Sequence, residues 1–167
     1  MTSEAAIIRH STPGQGTHAL ETSTELPLSG QSVFDFFANA ENLQRITPPE
    51  LAFRILTPTP SEIREGVLID YRLRLFGVPF GWRTRITLWE PPFRFVDEQL
   101  RGPYRTWVHT HSFEASGAST VMTDRVEYSL RGQPVSHLVL PLVRHQLDRI
   151  FRYRSRVIRE ILRPGPQ

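Results

Sequence analysis

Two histidines separated by one residue are the side chains in this sequence best suited to chemistry. In the segment TWVHTHSF, Trp107, His109, His111 and Phe113 occupy alternate positions. A β-strand sends alternate side chains to one face, so a strand here would set two imidazoles between two aromatic rings. Such a face can supply an acid/base pair, two metal ligands, or the polar wall of a ligand-binding cavity.

The strand predicted before this one adds two polar groups to the same face. In FRFVDEQL, the alternation that leaves Arg94 and Glu98 in solvent turns Asp97 and Gln99 inward. If the following GPY segment is a three-residue loop, Asp97 lies directly opposite His109. A slip of one residue would turn the other face inward, so the prediction depends on this register.

The strand predicted after it carries one acid on an apolar face. In VMTDRVEYSL, Met122, Asp124, Val126 and Tyr128 alternate with polar residues. We therefore expect Asp124 to lie within reach of an imidazole. A buried polar group without a partner costs on the order of 1–3 kcal/mol, so these groups must pair with one another, with water or with a ligand.

The hydrophobic patterns predict an α+β fold. The segment THALETSTEL alternates as a first strand, and Ser29 is placed to cap the first of two short helices. About six more strands follow with short turns, which favours antiparallel pairing. Residues 142–162 then predict one long amphipathic helix, whose apolar stripe must lie on the sheet. We expect residues 1–17 to be a flexible N-terminal segment and residues 18–163 to form a single domain.

Composition excludes several classes of function. The 167-residue chain has no cysteine, so disulfides, thiolate metal sites and cysteine nucleophiles are excluded. The net charge of +3 is too small to indicate a nucleic-acid partner. A signal peptide and a long apolar segment are both missing from the sequence, so we expect a cytoplasmic protein without stable membrane insertion.

Several interpretations of the polar face remain open. Its groups either satisfy one another inside the core, orient a ligand, or act as a catalytic acid/base. A His-x-His pair with Asp97 or Asp124 as the third ligand would instead form a metal site. Outward arginines such as Arg83 and Arg85 offer a surface for RNA or anionic lipid, although such residues usually pair with acids in solvent.

The sequence also resembles a known family. The segments NLQRITPPELAFRIL, GVPFGWRTRI, FRFVDEQLRGPYRTWVHTHSF, DRVEYSL and LDRIFRYR are similar to those of the START-related (SRPBCC) superfamily. The closest resemblance is to its bacterial ligand-binding, polyketide cyclase/dehydrase-like members, and it covers about residues 18–162. It implies a helix-grip fold, in which a curved antiparallel sheet wraps around a long C-terminal helix above a mostly apolar cavity. It implies no metal or organic cofactor and no particular ligand.

Residues and resemblance together predict a protein that binds a small hydrophobic or aromatic molecule of a lipid, polyketide or isoprenoid-like kind. We expect an internal cavity of at least about 300 Å³. The alternative is a cyclase/dehydratase-type enzyme that uses a cavity histidine as general acid/base, and the oligomeric state stays open. The expected ligand-binding residues are Tyr71, Leu73, Trp82, Phe95, Asp97, Gln99, Trp107, His109, His111, Phe113, Asp124 and Tyr128.

Overall fold

The computed structural model describes residues 7–14, 16–58, 63–132 and 136–163. In these residues eight strands form one antiparallel sheet, and three α-helices accompany it. The α+β architecture predicted from the sequence is confirmed. The strands are β1 (Ile7–Gly14), β2 (Thr17–Leu26), β3 (Arg54–Ile55), β4 (Leu68–Leu75), β5 (Val78–Glu90), β6 (Arg94–Arg101), β7 (Thr106–Ser116) and β8 (Ser119–Ser129); the helices are α1 (Gly30–Ala38), α2 (Ala40–Arg45) and α3 (Ser136–Ile161).

The order of strands across the sheet is β1-β2-β8-β7-β6-β5-β4-β3. The chain runs from β4 to β8 as a meander, because short turns join strands that are already neighbours. Strand β2 pairs with the last strand, β8, which places the two N-terminal strands at the β8 side of the meander. The register shifts twice along β5, and such irregularities bend a sheet and increase its twist.

The two short helices follow β2 and cover one end of the sheet. The Ser29 hydroxyl accepts a hydrogen bond from the Ser32 backbone N–H at 3.3 Å, so the predicted cap of α1 is confirmed. Helix α1 buries Val33, Phe34 and Phe37. A 3₁₀ turn at Pro49–Leu51 then leads into β3.

Helix α3 begins six residues earlier than the sequence predicted, and Pro141 lies inside it. We expected the helix to start after this proline, because a proline removes one backbone donor and disfavours helix before it. Leu140 and Val143, on either side of the proline, both pack against the core. Continuing the helix through Pro141 therefore partly buries both side chains.

The expectation of a flexible N-terminal segment is wrong for residues 7–14. They form β1, an edge strand that pairs with β2 from Ile7 opposite Ser23 to Gly14 opposite Thr17. Its pairing rests on backbone hydrogen bonds, so it requires no apolar alternation that a sequence pattern would reveal. His10 also contacts Asp148 of α3, with Nε2 2.7 Å from Oδ1. Residues 1–6 and 15 lie outside the described residues.

The buried side chains fall into two groups. The closed cluster joins α1 to one end of the sheet and to the C-terminal part of α3, and the cavity cluster lies between α3 and β4, β5 and β8. Among the described residues, no helix has the length and apolar character needed to cross a membrane. The closed cluster consists of Leu26, Val33, Phe34, Phe37, Ile46, Phe95, Phe113, Met122 and Ile158; the cavity cluster includes Leu51, Phe53, Ile69, Tyr71, Leu73, Trp82, Ile86, Tyr104, Leu147 and Phe151.

Candidate functional site

Strand β7 carries both histidines on its inner face, as the alternation predicts. His109 and His111 are buried, and Phe113 follows them in the closed cluster. The intervening Val108 and Thr110 are only half-buried. The strand therefore turns both imidazoles away from bulk solvent.

The neighbouring strands place one acid beside each histidine. In the β6–β7 pair, Asp97 lies opposite His109, so the predicted register is confirmed. In the β7–β8 pair, His111 lies opposite Asp124. Residues directly opposite on one face have Cβ atoms about 4.5–5.5 Å apart, and diagonal neighbours are within reach of long side chains. Both acids can therefore contact both imidazoles.

The four side chains form a closed ring of contacts. His109 Nε2 lies 2.9 Å from Asp124 Oδ1, and His111 Nε2 lies 3.1 Å from Asp97 Oδ2. The remaining ring nitrogens complete the ring: His111 Nδ1 lies 2.9 Å from Asp124 Oδ1, and His109 Nδ1 lies 3.6 Å from Asp97 Oδ2. The two imidazole rings lie against each other, with centroids 3.8 Å apart. We call Asp97, His109, His111 and Asp124 the His–Asp ring.

Helix α3 adds a cation that the sequence analysis missed. Arg154 is 6% exposed, and its Nε lies 3.0 Å from Asp124 Oδ2. Its Nη2 also donates to Asp124 Oδ1 at 3.3 Å. A buried carboxylate is costly unless it is paired, and this guanidinium supplies the counter-charge. Arg154 therefore ties α3 to the polar wall of the sheet.

The environment separates the pKa values of the two histidines. Burial lowers the pKa of His109, helped by the neighbouring charge of His111 and opposed by the two acids. Burial acts on His111 in the same direction, but its hydrogen bonds to Asp124 and Asp97 outweigh burial and raise its pKa. Because the rings are in contact, the pair titrates as a unit.

Both carboxyl groups of the ring are held ionised. Burial alone would raise the pKa of Asp124, but the Arg154 charge and both imidazoles hold this pKa well below its ordinary value. The pKa of Asp97 is lowered as well, because its contacts with His111 and His109 outweigh burial. Burial, together with the nearby charge of Asp97, raises the pKa of the Tyr71 phenol. At neutral pH the His–Asp ring therefore contains two ionised carboxylates that accept hydrogen bonds, and the Tyr71 phenol near Asp97 is neutral.

Aromatic side chains enclose the ring on its other sides. Phe95 stacks on His111, with centroids 4.1 Å apart and planes 19° apart. Phe151 of α3 meets His109 edge-on at 5.7 Å. Trp107 meets His109 nearly perpendicularly at 6.4 Å. These walls keep bulk solvent away and strengthen the electrostatic interactions within the ring.

A cavity of about 160 Å³ lies between the sheet and α3, with the His–Asp ring in its wall. It is smaller than the expected minimum of about 300 Å³, so that expectation is wrong. The reason is that several rings fill the space beneath α3: Trp82 packs on Tyr71 at 5.7 Å and on Trp107 at 5.3 Å. An apolar cavity of about 150 Å³ holds one benzene-sized molecule, which sets the scale of what fits without rearrangement.

Most of the predicted ligand-binding residues line this cavity, and four do not. Those in the wall are Tyr71, Leu73, Trp82, Phe95, Asp97, Trp107, His109 and His111. The four outside the wall are Gln99, Phe113, Asp124 and Tyr128.

The four residues outside the wall have other contacts. Gln99 turns back to bond the Tyr104 backbone, and Phe113 packs in the closed cluster. Asp124 lies behind the imidazoles against Arg154, and Tyr128 is covered by Tyr104 and Trp107. Alternation identifies the inner face of a strand, but it does not say where along that face the sheet separates from α3.

The cavity also has lining residues that the sequence analysis did not select. They come from α1, α2 and the segment after them, from β4 and β5, from the β6–β7 loop, and from α3. Arg154 left a usable signal, since it continues the helical stripe of Leu147, Phe151 and Ile158 at spacings of three and four residues. The lining residues that were missed include Phe37, Leu43, Ile46, Leu51, Phe53, Ile63, Tyr104, Ile150 and Arg154.

The profile of one protein family matches most of this chain. The family is described as polyketide cyclase/dehydrase and lipid transport, and the match covers residues 26–155. The chain belongs to this family. The resemblance to the SRPBCC superfamily is thereby confirmed. Among proteins with curated functions, none matches the sequence.

Solved structures share the fold at low sequence identity. A Thermus thermophilus protein matches with a TM-score of 0.68 and 16% identity, over 86% of this chain and 96% of that chain. A Rhodobacter sphaeroides protein matches with a TM-score of 0.66 and 17% identity, over 95% and 98% of the two chains. A major latex-like protein from Panax ginseng matches with a TM-score of 0.60 and 12% identity, over 89% and 99%. Identities this low show the fold alone.

Proposed function

We propose that the protein binds a small hydrophobic or aromatic molecule, of about the size of one ring, in the cavity beneath α3. The observation that carries this proposal is the cavity itself, whose apolar walls surround a few convergent polar groups. Of the lipid, polyketide and isoprenoid-like ligands expected from the sequence, single-ring and short-chain compounds fit about 160 Å³. Larger members require the aromatic walls to move.

One atom of the polar wall is suited to recognise a hydroxyl group. The ionised Asp124 can only accept, so His109 Nε2 donates to it and the proton of the neutral imidazole stays on that side. The other nitrogen, Nδ1, then carries a lone pair, and it makes no hydrogen bond within the described part of the chain. His109 and Asp97 both line the cavity, whereas Asp124 does not. A ligand hydroxyl in the cavity can therefore donate to His109 Nδ1.

A matched pair of ligands tests this proposal. Phenol and toluene have similar size and differ in the hydroxyl, so we expect phenol to bind more tightly to the wild-type protein. In His109→Gln, phenol should lose roughly 5- to 150-fold in affinity, which corresponds to about 1–3 kcal/mol for an unpaired polar group. Toluene affinity should change little. Calorimetric titration measures both ligands.

The control is His18→Gln, which replaces a buried histidine of β2 that is outside the cavity wall. This variant should bind phenol as the wild type does. Mass spectrometry of an organic extract from the purified protein would identify any co-purified molecule. If neither phenol nor toluene binds, or if both histidine variants lose phenol equally, the proposal is wrong.

One observation also favours catalysis as a second candidate. The His109–Asp124 contact pairs an imidazole with a carboxylate on its second nitrogen, which is the arrangement of a general base. The corresponding reaction is proton abstraction next to a carbonyl, as a cyclase or dehydratase requires. Cyclohexanone fits the size limit, so the protein in D₂O should accelerate deuterium exchange at its α-carbons. His109→Gln should abolish the acceleration; no acceleration by the wild type would exclude this candidate.

A further inference from the structure

The cavity side of the His–Asp ring brings three metal-binding atoms together. Asp97, His109 and His111 each offer one ligand atom, and these atoms all lie within 4.8 Å of one another; His109 Nδ1 and His111 Nε2 are the nitrogens nearest Asp97 Oδ2. The carboxylate oxygen is 3.1 Å from the His111 nitrogen and 3.6 Å from the His109 nitrogen. All three residues line the cavity.

The two carboxylate-to-imidazole separations match those of a tetrahedral metal centre, whereas the imidazole rings, with centroids 3.8 Å apart, must move apart when an ion binds. Zinc binds imidazole nitrogen and carboxylate oxygen at about 2.0–2.2 Å, which places two ligand atoms roughly 3.3–3.5 Å apart. The measured distances of 3.1 and 3.6 Å lie on either side of that value. Two strands fix the three residues, with Asp97 directly opposite His109. The sheet therefore holds the donor set in place without help from a loop.

A second carboxylate supports both imidazoles from behind. Asp124 Oδ1 lies 2.9 Å from His109 Nε2 and 2.9 Å from His111 Nδ1, the nitrogens that face away from the donor set. Metal-binding histidines nearly always donate their other N–H to a carboxylate, a carbonyl or water, which fixes the tautomer and the ring orientation. Arg154 in turn anchors Asp124. One buried carboxylate thus contacts both imidazoles at the nitrogens that do not face Asp97.

The charge of the cluster favours a cation at that point. With both imidazoles neutral, as metal ligation requires, two carboxylates and one guanidinium leave one net negative charge in a buried site. In the metal-free protein the raised pKa of His111 allows a proton to supply the missing charge, so a metal ion replaces that proton. An unbalanced buried charge is costly. A divalent ion with one bound hydroxide would bring the sum to zero.

We propose that Asp97, His109 and His111 bind a divalent transition-metal ion, zinc in the first place, with its open position toward the cavity. Imidazole and carboxylate donors suit Zn²⁺, and two histidines with one carboxylate also suit Fe²⁺. Three protein ligands with one open position are typical of catalytic rather than structural zinc sites. This inference goes beyond the proposed ligand binding, because metal uptake is measured without any ring compound.

Cobalt titration of the full chain tests the site. The protein is prepared without a histidine tag and dialysed against EDTA, and Co²⁺ is then added while visible d–d absorption is followed. We expect one Co²⁺ per chain with the spectrum of a four-coordinate ion, displaced by Zn²⁺. Asp124→Asn removes a partner of the ligands and should weaken Co²⁺ binding 10- to 100-fold. Asp97→Asn and His111→Gln remove ligands themselves and should weaken it by more than that. His18→Gln is the control and should bind as the wild type does.

The variant His109→Cys gives a spectroscopic test of the site that applies even if the other variants fold poorly. The chain has no cysteine, so a thiolate-to-cobalt charge-transfer band in His109→Cys would arise from this position alone. The band should appear on addition of Co²⁺ and disappear with EDTA. The inference is wrong if the folded wild type takes up no Co²⁺, or if Asp97→Asn and His111→Gln bind it unchanged. Phenol binding in EDTA is measured separately, so failure of the metal site leaves the proposed ligand function standing.

Discussion

At the scale of single residues, the buried pair of Arg154 and Asp124 differs in kind from the arginine pairs on the surface. Both of its side chains are almost inaccessible to solvent. Arg83 and Asp70 also form a two-point contact, at 2.7 and 3.0 Å, but in water. Solvent screening leaves such exposed pairs worth about 0–1 kcal/mol. The same chemistry therefore has different consequences in the two places.

We predict that Arg154→Met strongly destabilises the fold. The methionine fills much of the same space but leaves the Asp124 carboxylate buried without its cation, which costs about 3–5 kcal/mol in free energy of unfolding. Urea unfolding at neutral pH measures the loss. Arg152→Met is the matched control, since it makes the same change at an exposed position of α3, and we expect a change within about 0.5 kcal/mol. Equal losses in the two variants would contradict the role assigned to Arg154.

At the scale of elements, the β6–β7 hairpin fixes the register that builds the His–Asp ring. Gln99 closes this hairpin: its Nε2 donates to the Tyr104 carbonyl at 2.9 Å, and its Oε1 accepts from the Tyr104 N–H at 3.4 Å. The side chain crosses directly over Gly102. A Cβ at Gly102 would lie 2.6 Å from Gln99 Cδ, which is closer than two carbons can approach. Any side chain at this position therefore requires Gln99 to move.

We predict that Gly102→Ala displaces Gln99 and lowers the free energy of unfolding by about 1–2 kcal/mol, the contribution of two hydrogen bonds. Gln99→Ala should cost about the same. The double variant should cost little more than either single variant, because both remove the same contact. Gly81→Ala is the control, since a Cβ there meets nothing within 4 Å. Additive losses in the double variant, measured by urea unfolding, would rule out this account.

The sequence predicted those elements whose side chains alternate and missed those held by other forces. Period-two alternation placed His109 and His111 inward and paired Asp97 with His109, and the structure confirms both. The loop itself differs from the expected three residues, because residues 102–105 separate β6 from β7. Strand β1 was missed because backbone hydrogen bonds hold it at the edge. Arg154 was missed because its residue type was weighed above its position on the helical stripe. The size of the cavity depends on how rings such as Trp82 pack in three dimensions, which no linear pattern records.

At the scale of the whole molecule, the interior has one filled end and one hollow end. In the closed cluster Phe34 contacts Trp89, Phe95 and Phe113 at ring distances of 5.0–5.9 Å, and only Phe37, Ile46 and Phe95 of this cluster also line the cavity. The cavity cluster surrounds the empty volume of about 160 Å³. A leucine removed from either end costs stability, but only at the hollow end does the new space join a cavity that a ligand can fill. This difference separates packing from binding.

We predict that Leu73→Ala changes the size of ligand that the protein accepts. Leu73 lines the cavity and Leu26 belongs to the closed cluster, and both are buried. Either residue changed to alanine should lose about 2–5 kcal/mol of unfolding free energy. In Leu73→Ala the added volume makes room for a second ring, so naphthalene should raise the melting temperature. Naphthalene at 100 times its dissociation constant should restore about 2.7 kcal/mol of the free energy of unfolding of Leu73→Ala. The wild type, with space for one ring, should respond to toluene but hardly to naphthalene.

Leu26→Ala is the matched control for this experiment. Its new space lies in the closed cluster, away from the cavity. Neither ligand should therefore stabilise this variant more than it stabilises the wild type. Scanning calorimetry of the three proteins with each ligand compares these responses directly. Stabilisation of Leu26→Ala by naphthalene, or no response of Leu73→Ala, would show that the space under α3 does not set ligand size. The hollow end would then be a packing defect rather than a binding site.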